Sequence, residues 1–155
     1  MQLNTSNWDY SVDVDKMTSK ESKFSSLTSD NVLRLDFPYK DSSNYGNLTV
    51  RNMPSSGTNV LVSVSKGQII CPGYGDGCTV TVRFDQAPPV RFGAIGPSDH
   101  SSTVFFIRDT KRFIAGAVKA KKILIQFTMY QAGSQTLEFS TAIPLVWDGA
   151  APKKK

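Results

Sequence analysis

Along most of this chain apolar residues recur at every second position between clusters of Gly, Pro, Asn and Ser, the spacing of strands that bury one face. In "VLRLDFPY", Leu33, Leu35 and Phe37 share one side while Arg34 and Asp36 take the other. "NLTVRN" turns Leu48 and Val50 inward and Thr49 and Arg51 outward, and "NVLVSVS" sets Val60, Val62 and Val64 against Ser63 and Ser65. "CTVTVRFD" repeats the pattern, with Val80, Val82 and Phe84 against Thr79, Thr81 and Arg83. Later, "KILIQFTMY" aligns Ile123, Ile125, Phe127 and Met129, and "TLEFSTAI" follows with Leu137, Phe139 and Ile143. The stretch from Tyr130 to Thr136, containing Gly133, reads as the hairpin turn between them.

One segment changes period. After Asp109 and Thr110, both suited to an N-cap, "KRFIAGAVKAKK" spaces Phe113, Ile114, Ala117 and Val118 at helical intervals and predicts one short helix over residues 109–120. Gly116 within it costs about 1 kcal/mol relative to Ala, so docking against a sheet has to stabilise the helix. One-sided alternation elsewhere predicts antiparallel sheets with a solvated face, two of which bury their apolar sides together. The expected fold is therefore mainly β, an antiparallel β-sandwich of about eight strands with that single helix. The Ser-rich run from Thr18 to Ser29 reads as a flexible connection or an edge strand. A chain of 155 residues suits one domain, residues 1–148, followed by a flexible basic tail, residues 149–155.

The formal charge of +5 invites a polyanion reading, but its distribution weakens it. Three of the eighteen basic residues are Lys153, Lys154 and Lys155, which leaves fifteen against thirteen acidic residues, a balance of +2. The other dense group is Lys111, Arg112, Lys119, Lys121 and Lys122, which is either a solvated helix face or a basic patch for nucleic acid. No stretch is long and apolar enough for a membrane helix. "MQLNTSNWDYSVDVDK" has neither the basic start nor the apolar centre of a signal peptide. The chain is thus either intracellular or stripped of a leader, and its cysteines have to arbitrate.

Those cysteines bracket a glycine-rich loop, "CPGYGDGC", from Cys71 to Cys78. A phosphate-binding P-loop needs a Lys-Ser/Thr pair and a following helix, both missing here. Structural zinc needs four ligands, whereas this chain has two cysteines and the single His100. A redox dithiol usually spaces its cysteines by two residues at a helix start. A disulfide remains, closing a short loop whose chain-entropy contribution is about 2.5 kcal/mol, and it implies an oxidising compartment such as a bacterial periplasm. At the tip of that loop Tyr74 and Asp76 are candidate binding residues, because ordered loops with aromatic anchors favour recognition.

Catalytic groupings are weak. "SVSK" at Ser63 and "SDN" at Ser29 match elements of penicillin-recognising enzymes, but in reversed order, with Ser63 on a strand and without Lys-Thr-Gly. His100 beside Asp99 lacks a nucleophile elbow. Asp13, Asp15, Asp36, Asp76, Asp85, Asp99 and Glu138 are dispersed, so sequence alone pairs no two carboxylates for glycoside hydrolysis. No cofactor and no metal site is expected. The aromatic residues, from Trp8 to Trp147, read mostly as core.

Short motifs in a fixed order carry a resemblance: "NWDYSVDVDKMT" with Trp8, Asp15 and Met17, "FPY" at Phe37, "LTVR" at Leu48, "KGQIIC" at Lys66, "VRFD" at Val82, "AKK" at Ala120, "YQAG" at Tyr130 and "LVW" ending at Trp147. In these the chain resembles small secreted proteins of unknown activity encoded in prophages, plasmids and genomic islands of Gram-negative bacteria. It is more loosely similar to accessory periplasmic proteins of type VI secretion clusters. The resemblance implies export and a β-rich fold, and carries over no catalytic residue. The expected function is then a noncatalytic periplasmic or secreted binding module for a protein or cell-envelope component, as an inhibitor or exclusion factor of a mobile element. Two alternatives stand beside it. One is a cytoplasmic polyanion or nucleic-acid binder using the basic helix, and the other is a cell-wall or carbohydrate hydrolase using a carboxylate such as Asp85 or Asp99.

Overall fold

A computed structural model describes residues 8–33, 44–54, 57–73, 75–97, 99, 101–130 and 132–147. The chain is mainly β, with strands β1 (Asp9–Val14), β2 (Glu21–Val32), β3 (Tyr45–Met53), β4 (Gly57–Val64), β5 (Cys78–Phe84), β6 (Val90–Ile95), β7 (Val104–Ile107), β8 (Lys122–Met129) and β9 (Gly133–Ser140). Among the described residues one helix, α1 (Thr110–Ala117), joins β7 to β8. All strand pairs are antiparallel, and the order across the sheet is β1-β2-β3-β4-β7-β6-β5-β8-β9. β5, β6 and β7 form a meander, and β8 returns to lie beside β5, which is a Greek key.

The sequence predicts two facing sheets; the structure has one continuous sheet of nine strands that curls until its two halves face each other. A Cβ on Gly46 of β3 would run into the side chain of Leu137 on β9, so these strands meet through the interior. The Phe105 ring of β7 and the Phe127 ring of β8 likewise pack 5.4 Å apart, although their strands are not neighbours. The interior is lined by the alternating residues of each strand, among them Leu48, Val50, Val60, Val62, Val80, Val82, Phe92, Ile123, Ile125 and Phe139, all buried. Helix α1 lays Phe113, Ile114 and Ala117 against this core, and Phe113 meets the rings of Phe84 and Phe92 edge-on at 5.4 and 5.8 Å. Asp109 is its N-cap, accepting from the Arg112 N–H, and the helix ends at Ala117 rather than at 120.

β2 closes the curl. Its register with β3 shifts between Thr28 and Val32, which bends the strand toward β9. At the bend Ser29 Oγ accepts from the Gly46 N–H (2.9 Å) and donates to Asn31 O (2.7 Å). Asn31 then bridges to β9: its Nδ2 donates to Thr136 O (3.0 Å), and its Oδ1 accepts from the Glu138 N–H (2.9 Å). A side-chain amide here stands in for a strand-to-strand backbone ladder.

Several expectations change. The Ser-rich run is neither a flexible connection nor an edge but most of β2, paired with β1 on one side and β3 on the other. Ile143 lies beyond the end of β9 and is exposed, not inward. The hairpin turn is tighter than the interval from Tyr130 to Thr136, because β9 already begins at Gly133. Phe106 points outward between Leu61 and Ile95, its partners on β4 and β7's other neighbour β6, with the Arg51 guanidinium 5.6 Å from its ring centre. Leu35 and Phe37 lie outside the described residues.

Candidate functional site

The disulfide is present: Cys71 and Cys78 are joined, and no free cysteine remains. Three further devices hold the loop they close. First, Gly77 adopts φ +65, a left-handed conformation that side chains disfavour, and a Cβ there would strike Ala94 O on β6. Second, the backbone of the loop lies directly on the β6 to β7 connection: the Gly96 N–H donates to Pro72 O (2.8 Å), and a Cβ on Gly73 would sit 2.7 Å from Pro97 O. Third, Arg108, just past β7, donates from Nη2 to Gly75 O (3.0 Å) while its own N–H donates to Gly93 O. The described residues of the loop are thus held at both ends and at Gly75.

Of the two residues assigned to its tip, Asp76 is exposed and Tyr74 lies outside the described residues. Beside the loop a shallow cleft of about 240 Å³ opens between Ile70, Cys71, Pro72, Pro97, Ser101 and Ser102. Asp99 borders Ser101, whose N–H it binds through Oδ1 (2.9 Å). His100 lies outside the described residues.

Two of the basic candidates have side-chain partners among the described residues. Arg112 pairs with Asp109 at 3.2 Å, donates from Nη2 to Arg91 O (2.7 Å) and lies 4.0 Å from the centre of the Phe92 ring. It therefore ties the helix to β6, with its side chain still about half exposed. Lys122 pairs with Glu138 across β8 and β9 at 3.5 Å. Lys111, Lys119 and Lys121 are exposed.

The carboxylates proposed for hydrolysis have backbone partners. Asp85 sits at φ +51, and its Oδ1 accepts from both the Lys121 and Lys122 N–H groups, each at 3.0 Å, fixing the entry to β8 against the end of β5. Asp99 Oδ1 is engaged by the Ser101 N–H. Ser63 stands on β4 with its side chain on the outer face, and Ser29 serves the β2 bend, so the two penicillin-recognising matches lie on separate strands. Among the described residues no group of three or more His, Cys, Asp or Glu side chains is gathered as a metal site. No described helix is long and apolar enough to cross a membrane.

Sequence reasoning missed Arg108. Its partner Gly75 is thirty-three positions away and offers only a carbonyl, so neither spacing nor residue type marks the pair. No protein-family model, no curated protein and no solved structure matches this chain.

Proposed function

We propose that this protein is a noncatalytic interaction module of the periplasm or of secreted material, which takes a protein or cell-envelope component as its partner through the face built on the loop from Cys71 to Cys78. The observation that carries this reading is the triple fixing of that loop by the disulfide, by Arg108 and by backbone-on-backbone packing at Gly77 and Gly73, with Asp76 left exposed. A loop ordered in advance loses little conformational entropy on binding, which favours recognition. A disulfide is kept by proteins outside the reducing cytosol, which supports the compartment. The resemblance to secreted proteins of mobile elements suggests the role of an inhibitor or exclusion factor.

Two features count against the alternatives. Arg112 and Lys122 already have partners, which thins the basic patch required by a polyanion binder. Asp85 Oδ1 accepts from two backbone N–H groups, which favours a structural role for this residue. The test is quantitative recovery of partners from periplasmic extract by the wild-type protein and by the Tyr74→Ala and Asp76→Ala variants. At least about a tenfold loss is expected from a residue at the centre of a binding face. Equal recovery by all three proteins would remove the loop from the proposal.

A further inference from the structure

The nine-stranded sheet has two ends, and the molecule treats them differently. At β9, Asn31 of β2 reaches Thr136 O and the Glu138 N–H, and Asp30 accepts from the Ser140 hydroxyl, so this end is covered by side chains. At β1, no described strand pairs with the far side, and all six residues are exposed. Its register with β2 runs unbroken from Asp9 to Val14. Sheet edges are normally protected from pairing by charged side chains, Lys above all, by Pro, by a bulge or by a covering segment, and the charges on β1 are all acidic. β1, "DYSVDV", has no Lys, no Pro and no bulge.

The two faces of β1 differ in chemistry. Tyr10, Val12 and Val14 share one face at 52%, 57% and 49% exposure, and Val146 adjoins them through its N–H bond to the Tyr10 hydroxyl (2.9 Å). Asp9 and Asp13 share the other, and Asp15 follows in the same phase. The strand holds no basic residue although the chain as a whole is +5. Asp13 and Asp15 also line a cleft of about 390 Å³ at the hairpin end, together with Lys20, Ser22 and Met53.

We propose that β1 is a docking edge that accepts an extended segment of a partner protein by strand addition, the segment alternating apolar and basic side chains. Main-chain hydrogen bonds to the open edge supply affinity, and the alternating side chains supply register and specificity. Apolar residues of the segment lie beside Tyr10, Val12 and Val14, and basic ones beside Asp9, Asp13 and Asp15. A second copy of the chain fits poorly. Two-fold antiparallel pairing centred on Ser11 sets Asp9 against Asp13 of the other copy, and pairing centred on Val12 sets Asp9 against its Asp15; like charges directly opposite destabilise a sheet. This edge is separate from the disulfide loop, since β2, β3, β4 and β7 lie between β1 and β6 in the sheet.

The experiment is titration of the 15N-labelled full chain with a short synthetic peptide of alternating valine and lysine, followed by NMR. Comparison peptides carry glutamate in place of lysine, or N-methyl groups on every second amide in each of the two phases. Resonances of residues 9–14 are expected to shift with the valine-lysine peptide. Affinity is expected to fall at least about tenfold with the glutamate peptide and with Asp13→Lys protein, and to weaken as salt is raised. One of the two N-methylated phases must abolish binding, because it blocks the donors that face β1. Asp76→Ala protein should bind the peptide as wild type does, which separates this edge from the disulfide loop. The proposal is overturned by equal binding of the glutamate peptide, by indifference to both N-methylated phases, by shifts centred on another surface, or by no binding at all. Concentration-dependent shifts of residues 9–14 in the free protein would identify a second copy as the occupant and overturn it too.

Discussion

One methyl group separates two expectations for Gly116. Helix propensity alone predicts that Ala here would stabilise the protein by about 1 kcal/mol. In the fold, however, a Cβ at this position would stand 2.6 Å from Cε2 of Phe84, whose ring is itself seated edge-on against Phe113. Overpacking a seated ring costs more than the propensity returns. We expect Gly116→Ala to lower stability by about 1 kcal/mol in urea denaturation, with an unchanged m-value. A raised midpoint would mean that Phe84 swings aside freely. Other single residues were readable without the fold: Val60, Val62, Val64, Ile123, Ile125 and Phe127 are buried as their alternation requires. Arg112 was not, because its guanidinium serves a neighbouring carbonyl and a ring that only the folded sheet brings near. Charge at a position does not reveal whether it is already spent.

At the scale of elements, β2 decides whether the sheet closes. The Asn31 amide satisfies a carbonyl and an N–H of β9 that would otherwise lie at an open edge. Removing it leaves both groups without that partner, at a cost of about 1–2 kcal/mol. The expected result for Asn31→Ala is a lower urea midpoint together with faster amide hydrogen exchange in β9 than in β4. Unchanged exchange in β9 would show that the edge is held by packing alone. Alternation made β3, β4, β5, β8 and β9 legible, and Asp109 with the changed period located the helix. β2 was legible only as a connection or an edge strand, because its inward positions include Ser25 and Ser29, buried polar residues that read as solvent-facing. β6 was hidden by Gly93 in its middle and by the prolines just before it, which mimic a loop. The β2 bend and the Asn31 bridge stand where the sheet's two halves close on each other, and neither leaves a periodic trace.

For the whole molecule, the disulfide links fold, compartment and proposed role. It joins the crossing from β4 to the start of β5, while backbone contacts of Gly77 with β6 and of Pro72 with Gly96 rest the loop bearing Asp76 on the same sheet as the core. Its position was legible because two cysteines around a glycine-rich turn leave few other chemistries. Arg108 and the backbone packing that complete the support were not, since they depend on residues distant in sequence. The most direct measurement is intact-mass analysis of the protein recovered from its native cells, alkylated at once without reductant. The account predicts a mass lower by two hydrogens than the reduced chain, no alkyl adduct, and a loss of about 2.5 kcal/mol of stability when the bond is then reduced. Two alkylated cysteines in folded protein, with the same stability before and after reduction, would contradict it.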